Sequence, residues 1–132
     1  MKNTSQPAGL IDFMRHGEPE GGRRIRGHGQ DDPLSARGWE QMRAVDTRIY
    51  ERVVSSPMIR CLAFAEEVAS ERTLPLQIDQ RLREIGYGIW EGRTQTEIAA
   101  AEPVAYASFL RDPVRHRPAG AEAVEAFLDR VG

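Results

Sequence analysis

Three short apolar runs, at residues 10–14, 53–56 and 76–79, alternate with longer stretches whose apolar residues return every three or four positions. Runs of four or five residues suit buried strands, whereas the 3.6-residue period suits helices with one covered face. Ser35 can cap a helix that repeats Trp39, Met42, Val45 and Ile49 on one side. A second helix after Pro57 turns Cys61, Phe64, Ala65 and Val68 inward. Thr94 with Glu97 forms a capping box, and Pro103 restarts a helix carrying Tyr106, Phe109 and Leu110. Val124, Phe127, Leu128 and Val131 make the packing stripe of a last helix. Strands alternating with helices predict a three-layer α/β/α fold with a mainly parallel sheet. At 132 residues the chain is expected to be one domain, 1–132, large enough for one core.

The residues at the strand ends carry the chemistry. Straight after the first run stand Arg15, His16, Gly17 and Glu18, at the carboxyl edge where open α/β sheets place their ligands. A guanidinium grips two phosphate oxygens in a fork, and a neutral imidazole beside it can attack phosphorus. Ser55, Ser56 and Pro57 with Arg60 repeat the arrangement at the second strand: a sharp stop, then an arginine in the first helical turn. Anions favour such a helix N-terminus. The third element is Leu82-Arg83-Glu84, whose glutamate is a candidate general acid.

Other classes find less support. The net charge of −2 offers no polyanion-binding surface, and Arg23, Arg24 and Arg26 lack interleaved aromatics, so no nucleic-acid partner is expected. Those three arginines read as substrate-mouth or solvated residues. Cys61 is alone, which excludes a disulfide framework and a CxxC pair. His28 with Asp31 and Asp32 lacks a fourth ligand and reads as a solvated loop, so no metal and no cofactor are expected. The apolar run at 10–14 is too short for a signal core or a membrane span; a cytoplasmic protein without a membrane partner is expected.

In order, Arg15-His16-Gly17-Glu18, Gly27 with Asp32-Pro33-Leu34-Ser35 and Gly38, Ser55-Ser56-Pro57 with Arg60-Cys61, Leu82-Arg83-Glu84 with Gly88 and Trp90-Glu91-Gly92, and Pro118-Ala119-Gly120-Ala121-Glu122 resemble the histidine phosphatase, or phosphoglycerate-mutase-like, superfamily. The likeness runs from Phe13 to the C-terminus, and the phrases around Trp90 and Gly120 look most like the α-ribazole phosphatases of cobalamin synthesis. The resemblance implies that His16 is the phosphorylated nucleophile and Glu84 the proton donor. It makes Arg15 and Arg60 the phosphate clamp, with Gly27 and His28 as substrate-binding candidates. The substrate it implies is a small phosphorylated metabolite, with α-ribazole 5′-phosphate as the example.

Three departures accompany the likeness. Gly22 stands where relatives often place an Asn, and residues 118–122 depart from a Pro-Gly-Gly-Glu-Ser loop. The family's second histidine, on a Val-rich strand ending in His-Gly, would lie beyond Gly132; neither His28 nor His116 has such a strand before it. By the resemblance that strand sits between strands one and two, so the fold is expected to be C-terminally incomplete. Two alternatives to a phosphatase therefore stand: a form that binds phosphate with little turnover and covers its exposed sheet by homo-oligomerisation, and mutase-type phosphotransfer.

Overall fold

The computed structural model describes residues 9–132. A βαβ unit forms its centre: β1 (Val53–Ser55), helix α2 (Ile59–Arg72) and β2 (Leu76–Ile78). The strands are parallel, with Val53 opposite Leu76 and Ser55 opposite Ile78. Pro57 ends β1, and Asp31 accepts from the Ile59 amide (2.7 Å) at the opening of α2, satisfying one of its unpaired N-terminal donors. Helix α1 (Ala36–Arg43) precedes this unit, capped by Ser35, whose hydroxyl accepts from the Gly38 amide.

Leu34, Met42, Phe64 and Val68 form the buried cluster between α1 and α2, with Trp39, Val53 and Leu74 against it. A second packed region lies further along. Helices α3 (Gln95–Ala101) and α4 (Pro103–Arg111) follow the expected capping box and the proline restart. Ile98 is fully buried, and Trp90 meets Phe109 edge-on with ring centres 5.2 Å apart and Tyr106 at 6.0 Å. The Trp90 indole donates to Glu102 (3.1 Å), so its one polar atom is satisfied. Helix α5 (Val124–Val131) closes the described chain.

Three expectations are corrected. Residues 10–14 form no strand: β1 is paired to β2 alone, and the apolar side chains that a ladder would have buried face outward, Leu10 at 92% and Phe13 at 95% exposure. An apolar run becomes a strand only where another backbone takes up its amides and carbonyls. Helix α1 stops at Arg43, because the carboxylate of Asp46 turns the chain by accepting from the Arg48 amide; Val45 and Ile49 are left exposed. On α5 the expected packing stripe is only half used, with Leu128 and Val131 exposed.

Candidate phosphate site

His16 owes its position to the residues on its C-terminal side. Gly17 is buried against Gly38 in the first turn of α1, so closely that a Cβ on either glycine would strike the opposite backbone. Glu18 continues the attachment: its carbonyl accepts from the Ser35 amide (2.9 Å) and hydroxyl (3.1 Å), and its amide donates to Gln41 (2.9 Å). The imidazole is half-buried, and its Nδ1 lies 2.7 Å from the Gly17 carbonyl. A carbonyl only accepts, so Nδ1 carries the proton and Nε2 keeps its lone pair. Burial holds the His16 pKa below its ordinary value, assisted by the charges of Arg60 and Arg15 and opposed by the Gly17 carbonyl and Glu84. The ring is therefore neutral at pH 7, the form that can attack phosphorus.

Arg60, in the first turn of α2, is 1% exposed. Its Nη1 donates to the Gln30 carbonyl (3.0 Å) and its Nη2 to that of Gly27 (2.9 Å), which ties the 27–30 loop to the βαβ unit. Nη2 also lies 3.9 Å from Oε2 of Glu84. A guanidinium has five N–H donors, so these carbonyls leave capacity for an anion. Gly27 takes a positive φ of 56°, and a Cβ there would collide with the Glu91 side chain. This residue type lets the carbonyl reach Arg60.

Glu84 is fixed through its backbone. Arg130 on α5 donates to the carbonyls of Arg81 (2.6 Å), Arg83 (3.0 Å) and Glu84 (3.1 Å). The same guanidinium grips both oxygens of Glu122 (2.7 and 2.8 Å), and Glu122 accepts from the Gly86 amide (3.1 Å). Led by that bond from Arg130, the pKa of Glu122 falls to about 2. His28 adds a second donor, its Nδ1 lying 3.0 Å from the Glu84 carbonyl.

A cavity of about 230 Å³ joins these walls, lined by His16, Arg60 and Glu84 with Ser56, Met58, Cys61, Leu82, Arg83 and Phe127. Arg83 places its Nε out of solvent without a hydrogen-bond partner. An orphaned donor of this kind costs about 1–3 kcal/mol, more when charged. Burial pushes the Cys61 thiol up, so it is protonated and a poor nucleophile beside the imidazole. A second cavity, about 260 Å³, lies along Ser108, Arg115, His116 and Arg117 and contains none of the three residues His16, Arg60 and Glu84.

The structure thus brings together His16, Arg60 and Glu84 and leaves three expected residues, Arg15, Gly27 and His28, outside the cavity lining. Arg15 is exposed, because the segment before it has no ladder to aim it inward; its charge still reaches His16. His28 is turned to the Glu84 backbone rather than into the cavity, and Gly27 faces Arg60 through its carbonyl. Arg26 is neither a mouth residue nor solvated: it is buried, paired with Asp32 (2.9 Å) and donating to the carbonyls of Glu20 and Gly22 (both 2.7 Å). Asp31 and Asp32 are engaged by the Ile59 amide and by Arg26. Sequence reasoning missed Phe127, Arg83 and Arg130. Nothing in the spacing from Glu84 to Arg130 announces a contact across 46 residues.

A half-buried histidine, a buried arginine and a glutamate thus share one cavity at the end of a parallel strand on an α/β fold. The model of the histidine phosphatase superfamily (branch 1) matches residues 11–132, and the chain belongs to that superfamily. It is 37% identical over 123 residues to a glucosyl-3-phosphoglycerate phosphatase of Mycolicibacterium vanbaalenii, covering 89% of this chain and 54% of that one. It is 32% identical to the adenosylcobalamin/alpha-ribazole phosphatase of Escherichia coli, covering 90% and 61%. The crystal structure of the alpha-ribazole phosphatase from Shigella flexneri superposes with a TM-score of 0.74 at 30% identity, over 89% of this chain and 60% of that one. The fold is therefore phosphoglycerate-mutase-like, and the chain spans just over half the length of these relatives. Among the described residues no helix is long and apolar enough to cross a membrane.

Proposed function

We propose that this chain is a phosphomonoesterase that works through a phosphohistidine at His16. The observation that carries the reading is the single cavity shared by the neutral imidazole, the buried Arg60 and the Glu84 carboxyl group. Nε2 of His16 attacks phosphorus and the bond from phosphorus to the leaving oxygen breaks, with Glu84 giving that oxygen its proton. Water then attacks the phosphohistidine, Glu84 takes a proton from it, and orthophosphate leaves with His16 restored. Arg60, supported by Arg15, balances the charge on the transferring group.

The names of the relatives support a small phosphorylated metabolite as substrate, and α-ribazole 5′-phosphate in cobalamin synthesis is the candidate we favour, in a cytoplasmic setting. Incubation with an aryl phosphate should give turnover and an acid-labile phosphoenzyme, both lost in His16→Ala. Turnover that survives the substitution would overturn the mechanism. The exposure of Leu10, Ile11 and Phe13 favours a second reading, in which the chain binds phosphate with little turnover and self-associates across this segment. Sedimentation separates the two, since a well-folded, strictly monomeric chain contradicts the second.

A further inference from the structure

We propose that Arg83 is a further substrate-binding residue of this site, its guanidinium forming a second fork on the phosphoryl oxygens beside Arg60. The inference rests on the phosphatase reading above. Its first ground is place: Arg83 and His16 line the same cavity of about 230 Å³. Its second is an uncommitted donor, since Nε of Arg83 is shielded from solvent and has no partner. Other arginines commit theirs to a carboxylate: Arg26 gives its Nε to Asp32, Arg43 to Glu67, Arg81 to Asp79 and Arg130 to Glu122. A charged guanidinium that lines such a cavity without a carboxylate partner among the described residues is explained by an anion there.

Charge leads to the same residue. A phosphate monoester brings up to two negative charges to a cavity whose His16 is neutral. Arg60 is shared with Glu84 at 3.9 Å and with two loop carbonyls. Arg15 is exposed and outside the lining. Arg83 supplies a further positive charge from the cavity wall itself. Its backbone is held as well, because Arg130 grips the carbonyls of Arg81, Arg83 and Glu84 and so fixes where the side chain starts. Because Nε is closed to solvent, the two Nη groups are the end with which this arginine can meet two oxygens at once.

The test is titration of the full chain with inorganic phosphate at constant ionic strength, read by calorimetry, with phosphohistidine formation from an aryl phosphate measured in parallel. Arg83→Gln should weaken phosphate binding by about tenfold or more, the loss expected for a hydrogen bond to a charged group. Arg83→Lys should fall between, since it keeps the charge and loses the fork. Arg115→Gln, beside the other cavity, should bind like the parent chain. If Arg83→Gln does not fold, Arg83→Lys decides: binding equal to the parent overturns the inference. Parent-like binding by a folded Arg83→Gln does the same, while His16-dependent phosphoenzyme leaves the phosphatase reading standing. A parent chain that neither binds phosphate nor forms phosphohistidine removes both.

Discussion

Around Glu84 three successive structural layers hold the chain: Arg130 takes three carbonyls, Glu122 takes Arg130, and the Gly86 amide takes Glu122. Before His16 there is no such frame among the described residues; positions 10–14 carry exposed apolar side chains, and the histidine is held from its C-terminal side by Gly17 and Glu18 on α1. Both walls face one cavity, yet one is braced by side chains reaching across the fold and the other depends on strand pairing. Side-chain bracing is complete within the described residues because each donor finds its acceptor there. Strand pairing needs a second backbone, and β1 is paired only to β2. The same contrast separates the two expected clamp residues, since Arg60 rides on a packed helix at 1% exposure and Arg15 follows an unpaired segment.

Removing the brace should have the largest effect. Arg130→Ala takes a charged donor from three carbonyls and from Glu122 and should lower stability by about 3 kcal/mol. Turnover should fall by about 10–100-fold through misplacement of Glu84, with KM much less affected. Denaturant unfolding and steady-state kinetics check both; a stable variant with unchanged turnover would show that Glu84 needs no brace.

The Glu122–Arg130 pair sharpens the comparison through pH. Glu122 has its pKa lowered in the folded chain from 4.5 to about 2, so its contribution is present above the unfolded value and is lost as pH falls from about 4.5 toward 2. Glu122→Gln should cost about 1 kcal/mol at pH 7 and flatten that part of the acid unfolding curve. Unfolding followed by circular dichroism between pH 2 and 7 measures it. A parallel curve for the two proteins would mean that the pair does not form.

The smallest effect is expected on the unpaired wall. Phe13→Ser removes an exposed ring and should change stability by no more than about 0.5 kcal/mol. A loss of several kcal/mol in the same denaturant experiment would break the comparison, because it would mean that another backbone covers this segment in solution.

Local rules made much of this chain legible. Ser35, the pair Thr94 and Glu97, and Pro103 act on neighbours within four residues, so the starts of α1, α3 and α4 could be read directly. Val53 and Leu76 are recognisable as strand starts, and the motifs that carry His16, Arg60 and Glu84 single out the three residues that share one cavity. The ends of elements were less legible. The helix beginning at Ser35 was expected to include Ile49, but the Asp46 turn competes with the apolar period and wins. The run at 10–14 has the composition of a strand, and composition says nothing about whether a partner is there.

What the amino-acid sequence determined alone is the family, the helix caps, the βαβ unit and the candidate nucleophile, since each depends on residue types at fixed short spacings. Only the tertiary structure decided that Arg26 is a buried staple, that His28 supports Glu84, that Arg130 grips the Glu84 backbone and that Arg83 lines the cavity with its Nε unpartnered. Arginine is the reason in three of these four cases. Its long side chain and five donors let one residue serve a carbonyl, a carboxylate or an anion, and which of these it meets depends on the chain that folding brings beside it.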